Sequence, residues 1–179
     1  MSRIVPQILT LSQHLISLAE APQIYRPARC PSCGLGGRLW GHGSYERKAN
    51  RDRDPAVPDF LPIPRFYCRH CGKTCSRLPE CLPPRRWYQW KIQQVLLYCL
   101  LAGGSMRYAS SLIGVGRSTG RRWWNWLKGQ SDRFAFYLKD RFPDLGRTLD
   151  RRHFWITYFK GGSLSFAMVI LDQAGVEVP

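Results

Sequence analysis

The chain has 179 residues, 27 Lys and Arg against 12 Asp and Glu, and a formal charge of +15. That length suits one compact domain or two small ones, and that charge argues against an ordinary soluble enzyme lacking an acidic partner. It points to a polyanion, nucleic acid first among them, although ribosome-associated and membrane-surface proteins are basic as well. The charge is concentrated: residues 61–130 hold 12 basic side chains and one acid, Glu80, so a polyanion site is expected there. No run of 18 apolar residues occurs, so a membrane span is not expected.

Residues 1–24 carry Ile4, Ile8, Leu11, Leu15 and Leu18 at helical intervals, predicting an amphipathic helix. Gln7, Ser12, Gln13 and His14 interrupt it too often for a signal-peptide core. A reducing cytoplasm is therefore expected, where paired cysteines more often hold metal than form disulfides.

"CPSC" and "CRHC" place Cys30 and Cys33, then Cys68 and Cys71, in two Cys-x-x-Cys knuckles. Each short turn aims two thiolates at one centre, and two turns complete a tetrahedron of sulfurs about 2.3 Å from a zinc ion. Glycine follows each pair, where the chain often needs positive φ. These features predict a zinc ribbon over residues 25–80 with a structural Zn²⁺, disulfides or a redox pair being the alternative. A closed four-cysteine site leaves no position for a reacting water. Cys75 stands at a ligand-compatible interval and is the substitute for one of the four; Cys99, in an apolar run, reads as a small core residue. His42 and His70 read as solvated. "GRLWGHGSYERKA" and "DFLPIPRFYCR" predict strands around a charged, proline-bearing loop, with Pro62 and Pro64 demoting the second to an edge or irregular strand.

A proline-rich connector through Pro84 precedes a mostly buried helix predicted from about Arg86 to Leu101. Ser105 is the expected N-cap of a short helix through Ile113, in which Leu112 and Ile113 close one apolar face. Gly114 makes a tight turn, Val115 plugs the corner, and a second helix runs from about Arg117 to Lys128. This is the helix-turn-helix plan, predicted over residues 85–130. Thr119, Trp123, Trp126 and Leu127 share the inward side; Arg117, Arg121, Trp124, Asn125 and Lys128 share the other. Arg and Asn match guanine and adenine edges, whereas Lys128 suits phosphate. Ser118 and Arg122 complete the DNA-contact set on the helix. Lys73, Arg85 and Arg86, with Arg47, Arg65, Arg69 and Lys48, are expected to grip phosphates. The bland alternative is a solvated basic face on an ordinary helical bundle.

Residues 131–179 predict one more amphipathic helix over "SDRFAFYLKDRFPDLG" and then a β-hairpin, with "MVILD" ending at Asp172. The fold class expected is therefore α+β: a small ribbon, a mainly helical module, a short C-terminal helix and a hairpin. Neither a phosphate-binding Gly-rich loop nor a Ser/His/Asp arrangement is discernible, and no catalytic residue is assigned.

"CPSCG", "YCRHCGKTCSRLP", "PPRRW" and "LIGVGRSTGRRW" in this order resemble the N-terminal DNA-binding region of bacterial insertion-sequence transposases and small proteins related to them. The resemblance covers about residues 25–130. It implies double-stranded DNA as partner and a non-catalytic accessory or partial transposase, associated with the nucleoid, that recognises mobile-element ends. A truncated or split RNase H-like nuclease, lacking the carboxylates that would join Asp172, is the alternative; a transcription regulator is a third reading. A transposase or a second copy is the further partner; the apolar faces of residues 4–18 and 131–142 would serve dimerisation or simply complete the core, and neither membrane nor small-molecule substrate is expected. Two positions depart from the family pattern. Gly116 replaces the usual Ser or Thr cap, and Gly120 stands where an apolar residue is usual, at about 1 kcal/mol of helix stability. A reading helix that stays loose until it meets DNA is the expectation.

Overall fold

The computed structural model describes residues 3–48, 55, 57–84, 88–148 and 150–178. It is α+β, in two units, Met1–Tyr88 and Gln89–Val178. Strands β1 (Ile4–Val5), β2 (Leu39–Lys48), β3 (Phe60–Cys68), β4 (Thr74–Cys75) and β5 (Leu78–Pro79) and helix α1 (Leu11–Glu20) build the first. Helices α2 (Trp90–Leu101), α3 (Met106–Leu112), α4 (Arg117–Arg141), α5 (Arg151–Gly161) and α6 (Leu164–Gln173) build the second. No single helix among the described residues is long and apolar enough to cross a membrane.

The N-terminal helix expected over residues 1–24 is shorter. Pro6 and Gln7 break the chain, Gln7 lying in the left-handed region at φ 67. Helix starts where Thr10 accepts from the Gln13 N–H and Gln13 answers on the cap backbone, a complete capping box. Ile4 belongs instead to β1, which pairs in parallel with β5 in the register Ile4↔Leu78. The Gln7 N–H donates to Glu80 Oε2 at 3.0 Å, and Glu80 is buried. The one acid of residues 61–130 therefore leaves the surface of that stretch without negative charge.

β2 and β3 pair antiparallel from Leu39↔Cys68 to Lys48↔Phe60, with a bulge between Gly41 and Ser44 where Gly43 adopts φ 69. β4 extends the sheet only at Phe66 and Tyr67, so β3 is central at its C-terminal end and an edge at Pro62 and Pro64. Pro62 turns its carbonyl away from β2, to His14 Nε2 at 3.1 Å, and the proline ring leaves no ladder donor orphaned. His14 is wholly buried. Nε2–H donates to the Pro62 carbonyl, and in the neutral ring that burial favours, Nδ1 accepts from the Tyr25 hydroxyl at 2.6 Å. Burial holds His14 below the usual histidine value, against the opposing pull of the Pro62 carbonyl.

In the second unit α2 begins at Trp90; the start predicted near Arg86 lies outside the described residues. α4 runs on for 25 residues. The separate helix expected after Gly129 is its continuation, because Gly120, Trp123, Leu127, Ser131, Phe134 and Leu138 form one buried stripe at intervals of three and four. The C-terminal β-hairpin is replaced by two helices. Asp150 caps α5 by accepting from the His153 N–H, and Ser163 caps α6 by accepting from the Phe166 N–H. Phe154, Trp155 and Tyr158, then Leu164, Ala167, Met168 and Leu171, bury at helical spacing. Buried Trp155 donates to Ser131 Oγ at 3.0 Å, and Gln94 of α2 accepts the Leu164 N–H at 2.6 Å. Residues 131–178 thus finish the core that α2 to α4 begin.

Candidate metal centre and candidate nucleic-acid interface

The two knuckles have the same backbone plan. Gly34 N–H donates to the Cys30 carbonyl and Gly72 N–H to the Cys68 carbonyl, both at 2.9 Å. Cys30 N–H donates to the Leu35 carbonyl and Cys68 N–H to that of Lys73, again at 2.9 Å. Gly34 and Gly72 adopt φ 75 and 70, the left-handed conformation that a side chain would resist. Each turn therefore presents two sulfurs on one side, and the pairing of Leu39 with Cys68 brings the turns together.

The four sulfurs lie within 4.8 Å of one another. Cys30 and Cys71 are 3.6 Å apart, and Cys33 and Cys68 3.8 Å. A tetrahedron drawn with sulfur–metal bonds of zinc length has edges of about 3.8 Å, so these two edges already match a four-sulfur metal site. The charges argue the same way. Burial opposes a thiolate at Cys30, yet the N–H groups of Cys33 and Ser32, the latter 3.4 Å from the sulfur, and the neighbouring thiols lower it to about 6. Cys33 is raised to about 12: the Leu35 N–H favours its thiolate, but burial and the sulfurs of Cys30, Cys68 and Cys71 outweigh it. Four sulfurs this close ionise together only around a cation.

The spare cysteines separate. Cys75 packs half-buried against this cluster, its thiol pushed up by burial and by the sulfurs of Cys30, Cys68 and Cys71. It stands outside the group of four. Cys81 is buried among Leu61, Ile63 and Leu82, and Cys99 is half-buried on α2. His42 and His70 are exposed.

α3 and α4 meet through a short turn. Ser105 accepts from the Tyr108 N–H to cap α3, Gly114 takes φ 64, and buried Val115 donates to the Ser110 carbonyl at 3.0 Å. Ile113 is half-buried, but Leu112, expected to close the same face, is exposed at the last position of α3. Gly116 begins α4 without a side-chain cap. Trp123 and Leu127 are buried, Trp126 stacks on Trp90 with ring centroids 6.5 Å apart, and Thr119 is half-buried. Arg117, Ser118, Arg121, Arg122, Asn125 and Lys128 are exposed. Arg122 donates to Thr119 Oγ1 at 3.2 Å along its own helix, and Lys128 Nζ lies 5.5 Å from the ring centre of half-buried Trp124.

Gly120 has a packing reason in place of the apolar residue usual there. It is buried, and a Cβ there would come within 2.9 Å of Leu96 Cδ1 and Met106 Sδ. The missing side chain lets α4 seat against α2 and α3. Lys73 is exposed at the second knuckle, while Arg85 and Arg86 lie outside the described residues. Arg47 is half-buried and its guanidinium donates to the Pro83 carbonyl, so part of its donor set is engaged within the fold. Asp172 is a correction. It is buried inside α6 rather than placed at the end of a strand.

A family model described as a domain of unknown function (DUF6431) matches residues 30–123. That is more than half of the chain, which therefore belongs to this family. The matched span opens on Cys30, the first cysteine of the candidate metal centre, and closes on Trp123, so it takes in both knuckles, α2, α3 and the start of α4. No curated protein and no solved structure matches the chain.

Proposed function

We propose that this DUF6431 member is a non-catalytic, sequence-selective DNA-binding protein. One structural zinc ion held by Cys30, Cys33, Cys68 and Cys71 folds its first unit as a zinc ribbon, and α3, the turn and α4 act as a helix-turn-helix. A single observation carries the reading: Arg117, Arg121, Asn125 and Lys128 recur at intervals of four, four and three along the exposed side of α4. That stripe spans about 16 Å of helix, enough to lie along a major groove. Arg121 and Asn125 read base edges, and Lys128 and Lys73 meet phosphates. The zinc does no chemistry, since four thiolates close its coordination shell.

The role that fits best, given the resemblance to transposase N-terminal regions, is recognition of mobile-element ends. Selection of bound sites from random duplexes tests it, with a sharp motif matching an element terminus as the expected product. Neutralising six to ten phosphates predicts that duplex affinity falls about 10³- to 10⁵-fold between 50 and 200 mM salt. A flat salt response, or selected sequences without a shared motif, defeats the proposal.

A further inference from the structure

The sheet of the first unit has a second face. Leu39, Phe66 and Cys68 point into the core, so their neighbours Trp40, Tyr67 and Arg69 point out. Trp40 and Tyr67 are directly opposite across β2 and β3, which puts their side chains together on that outer face. Trp40 is 52% exposed, and the Arg69 guanidinium stands 4.2 Å from its ring centre. The His42 ring lies against Tyr67 with centroids 5.7 Å apart and a tilt of 36°. Three rings and a guanidinium therefore form one surface beside the second knuckle.

Charge selects the ligand. Residues 21–45 and 60–79, which build this half of the sheet and both knuckles, contain Arg26, Arg29, Arg38, Arg65, Arg69, Lys73 and Arg77 and no acid. Glu46 lies beyond the bulge, toward the other end of β2. An apolar partner would not need the cations, and a duplex hides the faces of its bases from such rings. An unpaired strand offers both a π-face to stack and phosphates to neutralise. Arg69 holds the indole in place from a backbone fixed by its N–H bond to the Arg38 carbonyl, at 3.1 Å, so the stacking surface is formed before any base arrives.

We infer that this outer sheet face binds single-stranded nucleic acid, stacking a base on Trp40 while Arg69 and Lys73 engage the flanking phosphates. The inference goes beyond the reading of duplex by α4, and its test separates the two. A fluorescein-labelled 12-mer of oligo(dT), and a matched oligo(rU), are titrated with the full-length protein by anisotropy, beside a labelled duplex. Trp40→Ala should weaken the single-strand complex about 5- to 150-fold and leave duplex binding unchanged. Trp40→Phe, which keeps a ring, should retain most of the affinity. Arg121→Ala should do the opposite, lowering duplex affinity alone. His42→Ala supplies an independent variant, with a smaller loss confined to single strands. A Trp40-dependent preference for one sugar names the source of the strand. Failure of the native protein to bind either oligonucleotide overturns the inference, as does equal binding by Trp40→Ala. Equal loss of duplex and single strand in Trp40→Ala also overturns it. None of these results bears on whether Arg121 reads duplex.

Discussion

Gly120 and Gly129 stand in the same helix, yet alanine should stabilise only at Gly129. Glycine inside a helix costs about 1 kcal/mol relative to alanine, so propensity alone predicts that both substitutions stabilise. Gly129 is exposed and a Cβ there meets nothing within 4 Å; Gly129→Ala should realise that gain, raising Tm by about 4–8 °C in a unit of this size. At Gly120 the new carbon lies 2.9 Å from Leu96 Cδ1 and Met106 Sδ and 3.2 Å from Ser110 Oγ. Leu96 is fully buried and Ser110 nearly so, leaving little room to give way. Overpacking of this kind costs about 1–3 kcal/mol, which cancels or exceeds the propensity gain. Gly120→Ala should therefore be neutral to about 2 kcal/mol destabilising, and the two variants should separate by at least about 4 °C in scanning calorimetry. An equal rise in Tm for both would refute the close seating of α4. Tighter duplex binding by Gly120→Ala would support a helix ordered by its ligand.

Chelation should unfold the first unit: structural zinc contributes about 10–16 kcal/mol in small domains, as much as a whole unit's stability. Amide exchange across Leu39–Lys48 and Phe60–Cys68 should lose protection in chelator and in Cys68→Ser, with bound metal lost in parallel; retained protection refutes the site. Stability should also fall on acidification. His14 is held below its unfolded value of 6.5, so the native state resists a proton that the unfolded chain accepts. Its contribution is full above pH 6.5 and is lost below it, with a limiting slope of about 1.4 kcal/mol per pH unit. Urea midpoints from pH 7.5 to 5.5 at constant metal content should slope less in His14→Gln; an unchanged slope excludes His14 as the cause. Arg121→Ala should cost about 1–3 kcal/mol on the preferred duplex and relax its sequence preference, whereas Lys73→Ala should weaken all duplexes alike. Identical behaviour of the two variants would remove the division between base reading and phosphate grip.

What could be read from the sequence was local. Each knuckle declares itself through two cysteines and the glycine behind them, because four adjacent residues decide where the sulfurs point. The sides of α4 were legible for a similar reason: burial at Trp123 and Leu127 and exposure at Arg121 and Asn125 follow from 3.6 residues per turn. The two-residue strand β1 has no period to detect, and its partner is remote. "FWITYF" is rich in strand-forming types, yet Asp150 and Ser163 were helix caps in plain view and the apolar spacing from Leu164 to Leu171 was helical. Pattern outweighs propensity there. The purpose of Gly120 and the burial of Arg47 depend on neighbours contributed by other elements, which no local window contains.

The pairing of β1 with β5 has a consequence for synthesis on the ribosome. Arg77 donates to the Ile4 carbonyl at 2.7 Å across 73 residues of chain, and Cys33 waits 35 residues for Cys68. At translation rates of about 5–20 residues per second, β1 stays without its partner strand for roughly 4–15 s, and the first pair of thiols stands open for roughly 2–7 s. Cys71 precedes Leu78 by only seven residues, about 0.4–1.4 s at those rates, so the second knuckle and β5 reach their partners almost together, and the nascent amino-terminal segment is the part that chaperones and proteases meet longest.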